Sequence, residues 1–215
     1  MNSVILIIIL LLFVYIGFRY KSEKNKYDNP IFKENLAQIS LFFELVDKFD
    51  DYITWVKRDE IKSQFSSTGK FFKNKTKYYS KEDKVEKFNE IFGNFDNYIV
   101  KYNQDYVTSQ KEKLKHYFDD IEGKKLDDQQ RAAVVTDEYS NLIVAGAGSG
   151  KTLTILGKVK YLIEQKNISP DNILLLSFTK KTVDDLNDRL NEIKLGVQAT
   201  TFHKLGYDVD RKSVV

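Results

Sequence analysis

The stretch that decides the fold of this chain reads Ala145-Gly146-Ala147-Gly148-Ser149-Gly150-Lys151-Thr152. A short apolar run, residues 142–144, comes before it, and apolar residues recur at helical spacing from Leu153 to Gln165. A strand, a glycine-rich loop and a helix in this order are typical of a phosphate-binding P-loop. The usual pattern begins with Gly where this chain has Ala145, which is a minor departure because both residues are small.

Each part of this loop suits a nucleotide phosphate. Successive backbone N–H groups form an anion-binding nest, and the helix after the loop directs its positive end toward the phosphates. We predict that ATP binds here, that Lys151 reaches its β- and γ-phosphates, and that the Thr152 hydroxyl binds Mg²⁺. The alternative is a glycine-rich turn that binds nothing. The predicted contacts to ATP in the loop are Ala145, Gly146, Ala147, Gly148, Ser149, Gly150, Lys151 and Thr152, with Lys151 and Thr152 as the catalytic pair.

Strand and helix signals alternate around this loop. A second apolar run covers residues 173–176, and a third short strand is predicted at 197–200, after a helical pattern from Thr182 to Ile193. Alternating strands and helices predict βαβ units with parallel strands. We therefore expect residues 124–215 to form an α/β P-loop NTPase domain, with a partial parallel sheet of three strands, one of them at 142–144, flanked by helices.

Residues 31–123 carry a different pattern. Apolar side chains recur there in steps of three and four, as on one face of a helix. The first series consists of Leu36, Ile39, Phe43, Val46, Phe49, Ile53 and Val56. We predict an all-helical region of three or four helices, and we interpret its aromatic stripe as helix packing rather than as a cofactor site.

The N-terminus is almost entirely apolar. Val4 to Phe18 contains no charged residue, and Arg19 and three lysines come directly after it. About 20 helical residues cross a bilayer, and basic residues after the run place the rest of the chain on the cytoplasmic side. We predict a transmembrane helix over residues 1–20 and a linker over 21–30, which together tether a cytoplasmic domain to the inner face of the membrane. The alternatives are a buried core helix and an interfacial segment.

The composition excludes several kinds of site. The 215 residues include no cysteine, so disulfides and cysteine-ligated metal sites are excluded, and two histidines argue against a multi-histidine metal site. The formal net charge of +3 is mild and does not by itself indicate a nucleic-acid partner.

The string before the loop is Leu126-Asp127-Asp128-Gln129-Gln130-Arg131-Ala132-Ala133-Val134. It resembles the Q motif of the UvrD-like branch of superfamily 1 DNA helicases, and the loop resembles their motif I. Ser177 to Thr182 resembles motif Ia and Thr201 to His203 resembles motif Ib, so four motifs stand in the family's order. Within that branch, Tyr102 to Tyr106 and Tyr117 to Asp119 look most similar to the helicase IV group.

The resemblance implies an ATP-dependent DNA helicase that moves 3′ to 5′ on single-stranded DNA. It assigns Gln130 to the adenine, because a side-chain amide can pair with N6 and N7; alternatively, Gln130 is a surface helix residue. In the family, motifs Ia and Ib line the DNA track. The DNA contacts that this implies are Phe178, Thr179, Lys180, Thr201, Phe202 and His203. Lys180 departs from the Asn usual in the family but suits a phosphate contact.

Structural roles compete with DNA contact at these positions. Thr182 and Asp185 fit a capping box that only starts a helix. Phe178 and Phe202 fit a hydrophobic core, and His203 fits a packed or hydrogen-bonded histidine.

Hydrolysis requires groups that this sequence does not supply. Helicases of this branch need an acidic Walker B motif and arginines from a second motor domain, and Asp137-Glu138 lacks the apolar strand that precedes a Walker B motif. We therefore expect the chain to be an N-terminal fragment that ends after motif Ib and is inactive alone. The competing function is a membrane-anchored nucleotide-binding or interaction module whose motor fold is vestigial.

Overall fold

The computed structural model describes residues 2–212, apart from the side chains of residues 2–4, 6, 211 and 212. Met1 and residues 213–215, which the predicted membrane helix and ATP-binding domain include, lie outside this range. The described chain divides between Tyr102 and Asn103 into two compact units. Its elements are α1 (Asn2–Asp28), α2 (Pro30–Asp47), α3 (Trp55–Gln64), α4 (Ser66–Phe72), α5 (Asp83–Gly93), α6 (Phe95–Lys113), α7 (Lys115–Phe118), α8 (Asp128–Val135), α9 (Lys151–Glu164), β1 (Leu175–Ser177), α10 (Lys180–Glu192), β2 (Ala199–Thr201) and α11 (Phe202–Lys212), with one turn of 3-10 helix at Pro170–Asn172.

Short polar side chains start several of these helices. The Asn29 side chain accepts a hydrogen bond from the Ile31 N–H at 2.9 Å, and Pro30 occupies the first position of α2. Thr54 accepts from the Lys57 N–H at 3.1 Å and so starts α3. These bonds satisfy N–H groups that a helix start would otherwise leave without a partner.

Aromatic side chains fill the core of the N-terminal unit. Phe42 of α2 is fully buried, and its ring meets those of Phe65, Phe88 and Phe92 edge to face at centroid distances of 5.1–5.8 Å. Such pairs add about 0.5–1.5 kcal/mol each beyond the burial of their area. The aromatic stripe in the sequence is therefore the packing core of the helices.

The prediction of a transmembrane helix over residues 1–20, and of a membrane tether, is wrong. Among the residues that the structure describes, no helix combines the length and the apolar character needed to cross a bilayer. The physical reason is the shortness of the apolar run from Val4 to Phe18, because a span takes about 20 apolar residues. The helix that contains this run, α1, continues into charged sequence and ends at Asp28.

The C-terminal unit has a core formed mainly by helices. Val134 of α8 and Leu156 of α9 are fully buried, and α10 adds Val183, Leu186 and Leu190. The two strands pair in parallel, with Leu175 opposite Ala199 and Ser177 opposite Thr201. The Asn187 side chain of α10 exchanges two hydrogen bonds with the backbone of Ala199, so the sheet is held against that helix.

The predicted α/β class, with a partial parallel sheet of three strands, is also wrong. The described residues are mostly helical and contain a sheet of two strands. Residues 142–144 form no strand, and Leu142 and Val144 are 89% and 88% exposed. A strand needs a neighbour to accept and donate its backbone hydrogen bonds, and no neighbour pairs with this run within residues 2–212.

Candidate nucleotide site

The glycine-rich loop leads directly into α9. Gly150 is the residue before this helix and has a φ of +82°, and Gly148 has a φ of +74°. These are left-handed conformations that residues with a Cβ adopt only at a cost. The loop therefore takes its shape from glycine at these two positions, and its end meets the N-terminal, positive end of a helix of 14 residues.

The side chains of Lys151 and Ser149 fold back on this loop. The Lys151 ammonium donates to the carbonyl oxygens of Ala145 at 2.8 Å and Gly146 at 2.6 Å. The Ser149 hydroxyl donates to the same Gly146 oxygen at 2.8 Å. The cation of Lys151 thus lies at the start of the loop, against the carbonyl oxygens of Ala145 and Gly146.

Gln130 of α8 connects this helix to the loop. Its Nε2 donates to the Ser149 carbonyl oxygen at 3.1 Å, and its Oε1 accepts from the Asp127 N–H at 2.9 Å. The Asp127 carboxylate in return accepts from the Gln130 N–H at 2.8 Å, which completes a capping box. The amide keeps a second N–H and a second lone pair beyond these two bonds, which a base could use.

A cavity of about 220 Å³ lies between α8 and the loop. The side chains that face it include Gln130, Lys151 and Thr154, together with Asp127 and Gln129 at the start of α8. Asp127 is not among the predicted site residues. Asp127 and Gln130 have the spacing of a capping box, so the role of Asp127 could be predicted from the sequence.

The remaining predicted group of this site is Thr152, half-buried in the first turn of α9. In the described part of the chain, no group of three His, Cys, Asp or Glu side chains is placed to hold a metal ion. If Mg²⁺ binds together with a nucleotide, the Thr152 hydroxyl would be the protein group that holds it, and the ion would supply positive charge at the phosphates.

Arg131 and Asp119 fix α8 from its other side. The Arg131 guanidinium is buried and donates to the Leu126 carbonyl oxygen at 2.9 Å and to the Asp119 carboxylate at 2.5 Å. The hydrogen bond from Arg131 holds the pKa of Asp119 below its usual value, with Lys125 adding to the effect. Arg131 thus holds α8, the helix that the capping box starts, in place.

Asp137, just beyond the end of α8, is also tied down. Its carboxylate accepts from the Lys158 ammonium at 3.0 Å, and Lys158 also donates to the carbonyl oxygens of Val134 and Thr136 at 3.0 Å each. Lys158 lies on α9, so this cluster joins the end of α8 to the helix after the loop. Its contacts give Asp137 a structural role.

Glu122 and Arg189 form a second link within this unit. The Arg189 Nε and Nη2 donate to the two oxygens of Glu122 at 2.7 and 2.5 Å. This bidentate pair joins the turn before α8 to α10. Hydrogen bonding to Arg189 lowers the pKa of Glu122, and the pair is mostly shielded from solvent.

The two predicted DNA-contacting strings lie at one edge of the sheet. Ser177 and Thr201 are opposite each other at the ends of β1 and β2, and Phe178 and Phe202 are the next residues along the chain. Phe178 is 81% exposed and Phe202 is 58% exposed, so neither ring belongs to the core. The remaining residues of this set, Thr179, Lys180, Thr201 and His203, occupy the same two strand ends or the first helical positions after them.

Two threonines of this edge cap helices. Thr179 Oγ1 accepts from the Thr182 N–H at 3.2 Å and starts α10, while Thr201 Oγ1 accepts from the Lys204 N–H at 3.2 Å. The capping box proposed for Thr182 and Asp185 does not form, because α10 begins at Lys180 and Thr179 takes the cap position. Thr179 and Thr201 each retain hydroxyl capacity for a further hydrogen bond.

Comparison with known proteins identifies this region. Residues 126–214 match the family model described as the UvrD/REP helicase N-terminal domain. DNA helicase IV of Escherichia coli K12 is 34% identical over 113 residues, which are 51% of this chain and 16% of that protein. A probable DNA helicase II homolog of Mycoplasma capricolum is 47% identical over 68 residues, 32% of this chain and 9% of that protein. The ATP-dependent DNA helicase PcrA of Staphylococcus epidermidis is 38% identical over 87 residues, 38% of this chain and 12% of that protein.

The chain thus spans less than a fifth of the length of these relatives. The part that matches the family model nevertheless includes the loop, the capped helix before it and the two strand ends after it. Residues 126–214 therefore match the UvrD/REP helicase N-terminal domain family and are similar in sequence to proteins named as DNA helicases.

Proposed function

We propose that this chain supplies the ATP-binding part of a 3′-to-5′ DNA helicase. The observation that carries the proposal is the hydrogen bond from Gln130 to Ser149, because it joins the Q-like helix to the glycine-rich loop around one cavity. The relatives are named as DNA helicases, and PcrA as an ATP-dependent one. The direction of movement is taken from the resemblance to the UvrD-like branch.

In this proposal each loop residue has a separate task. The backbone from Ala145 to Gly150 surrounds the phosphates, and Lys151 leaves its carbonyl partners to neutralise the β- and γ-phosphate charge. Thr152 holds Mg²⁺, which supplies charge stabilisation at the phosphates when it is bound. Gln130 orients the adenine with the N–H and lone pair that its two internal bonds leave over.

DNA binds at the edge formed by the ends of β1 and β2. The exposed rings of Phe178 and Phe202 suit stacking on bases, and Thr179, Thr201 and Lys180 suit contacts to the phosphate backbone. We include His203 in this set because it lies beside Phe202 at the same strand end.

Lys151→Ala tests the nucleotide site. Loss of a charge-assisted contact of about 1.5–3 kcal/mol weakens binding about tenfold or more. Fluorescence anisotropy with a labelled ATP analogue and Mg²⁺ measures this change. Lys181→Ala, which removes an exposed lysine of α10, is the control and should leave the affinity unchanged. Equal affinities of the Lys151 variant and the unaltered chain would disprove ATP binding at the loop.

Two further measurements test the remaining parts of the proposal. We expect the 215-residue chain to bind ATP without efficient hydrolysis, because no Walker B carboxylate accompanies the loop; DNA-stimulated turnover by this chain would contradict that. Strand displacement on duplexes with a 3′ or a 5′ single-stranded tail, using a longer protein that contains all motor motifs, tests direction. Unwinding that requires the 5′ tail would disprove it.

A further inference from the structure

The N-terminal unit contains a segment of unusual charge. Residues 62–81 include six lysines and neither Asp nor Glu, so this segment has a net charge of +6. The whole chain has a net charge of +3, so everything outside the segment sums to −3. The net positive charge of the protein therefore comes from α4 and the sequence around it.

Much of this charge lines a groove of about 570 Å³ between α4 and α5. We call it the lysine groove and define it by Lys62, Lys70, Lys73, Asn74, Thr76 and Phe92, which line it. Lysine ammonium groups attract phosphate, and amide and hydroxyl groups donate hydrogen bonds to its oxygens.

The lysines of the groove differ in how far they are already neutralised. Lys62 donates to both oxygens of Asp96, at 2.9 and 2.8 Å. Lys70 and Lys73 are exposed and form no ion pair with any residue that the structure describes. A polyanion would therefore bind these two ammonium groups without having to displace an acidic side chain.

Packing holds the groove in a fixed shape. A Cβ added at Gly69 would clash with the ring of Phe92, so the absence of a side chain lets this ring lie against α4. The Asn89 amide of α5 donates to the Phe72 carbonyl oxygen at 3.2 Å and to the Thr76 hydroxyl at 2.9 Å. The loop that carries Lys73 is thereby attached to α5, and its charges are positioned before any ligand arrives.

We propose that the lysine groove binds the phosphodiester backbone of a single-stranded nucleic acid, as a second contact separate from the sheet edge of the C-terminal unit. Charge complementarity argues for this occupant, because Lys70 and Lys73 present two exposed positive charges at the groove, whereas Asp96 already pairs with Lys62. The neutral donors beside the lysines favour an oxygen-rich anion over an apolar partner. The site contributes affinity rather than sequence preference.

Lys70→Glu/Lys73→Glu tests the proposal in the full chain. The probe is a fluorescent oligothymidine of about 20 nucleotides, the scale of one or two single-strand binding sites. We expect affinity to fall about tenfold at low salt, and the slope of log affinity against log salt to decrease by about 1.4, since each single-strand phosphate contact contributes about 0.7. Circular dichroism verifies that the variant is folded.

Lys87→Glu/Lys101→Glu is the matched control. It reverses two exposed lysines of the same unit that do not line the groove, so it changes the net charge by the same amount. Equal loss of affinity in both variants, or none in the groove variant, would overturn the proposal. Competition by polyglutamate as effective as by oligothymidine would overturn it too, because the groove would then bind acidic polypeptides.

A variant that lacks both aromatic rings separates the contribution of the sheet edge from that of the groove. In Phe178→Ala/Phe202→Ala, the residual oligothymidine binding should still depend on Lys70 and Lys73. This experiment tests the two proposed contacts independently, because failure of the sheet edge to bind DNA would not remove the effect of the groove lysines. Residual binding in this background that is insensitive to the groove variant would contradict the second contact.

Discussion

Gln130 donates a hydrogen bond to the Ser149 carbonyl oxygen at 3.1 Å, across 19 residues of sequence. The same side chain closes the capping box with Asp127. A single amide therefore couples the start of α8 to the shape of the glycine-rich loop, and it can be altered so that only one of these bonds is lost.

Gln130→Glu separates the two bonds. A glutamate still accepts from the Asp127 N–H, so the capping box survives, but it places an acceptor against the Ser149 carbonyl. We expect a loss of about 1 kcal/mol in the free energy of unfolding and a clear loss of affinity for labelled ATP. Gln104→Glu adds the same charge at an exposed position of α6 and should leave both quantities almost unchanged. An unchanged ATP affinity in the Gln130 variant would show that the bond to Ser149 does not shape the site.

Gly150→Ala tests the same contact between Gln130 and the loop by a change in the loop. The left-handed backbone costs about 1–2 kcal/mol for alanine, and the new Cβ would lie 2.5 Å from Gln130 Nε2. The amide can move aside, but it then gives up Ser149, which adds about 0.5–1.5 kcal/mol. Urea denaturation measures the sum.

Gly148→Ala is the control for the backbone cost. It has a φ of +74° and no atom within 4 Å of an added Cβ. The excess loss in Gly150→Ala over Gly148→Ala should disappear when Gln130 is also replaced by alanine. If that excess persists in the double variant, the clash is not with Gln130.

The Glu122–Arg189 pair should give stability a defined dependence on pH. Arg189 lowers the folded pKa of Glu122, whereas glutamate in an unfolded chain titrates near about 4.3. The stabilisation is therefore complete above that pH and is lost as the pH falls through the lower, folded pKa. Glu122→Gln should cost about 1–3 kcal/mol at neutral pH and little at a pH below the folded pKa of Glu122.

Urea denaturation at both pH values checks this dependence. Asp184→Asn removes an exposed carboxylate of α10 and should change stability by less than about 0.5 kcal/mol. A cost of Glu122→Gln that is the same at low and neutral pH would rule out the ion pair as its cause.

Phe178→Ala and Phe202→Ala test the sheet edge. Stacking of a base on an aromatic ring contributes about 1–3 kcal/mol, so each substitution should weaken oligothymidine binding about fivefold or more. Thermal melting should be almost unchanged, because both rings are exposed. Tyr139→Ala removes an aromatic side chain that is 74% exposed elsewhere and should not affect binding. A lower melting temperature with unaltered DNA affinity would assign the rings to packing.

Local signals in the sequence locate much of the C-terminal unit. The glycine-rich loop can be found because its spacing is specific, and α9 and α10 begin two residues before the predicted helical patterns. The strand predicted at 173–176 is observed at Leu175–Ser177, and the one at 197–200 at Ala199–Thr201. These runs differ by one or two residues because the register is set by pairing between strands, which apolar character does not report.

The wrong predictions share a cause. An apolar run predicts a strand at 142–144 and a membrane span at 1–20, although apolar character alone establishes neither element. A strand requires a partner to pair with, and a span requires sufficient length. The hydrogen bond from Gln130 to Ser149 likewise could not be predicted from the sequence. The capping box is a local pattern, whereas the packing of α8 on α9 brings Ser149 to Gln130.

The parallel register of β1 and β2 also sets a length scale. Neighbouring strands are about 4.8 Å apart, and Phe178 and Phe202 stand at equivalent positions beyond the paired residues Ser177 and Thr201. Both rings are exposed at the same end of the sheet. In the proposed function, a DNA strand that reaches one ring therefore also passes the other, so the two residues would contact the same short stretch of nucleotides.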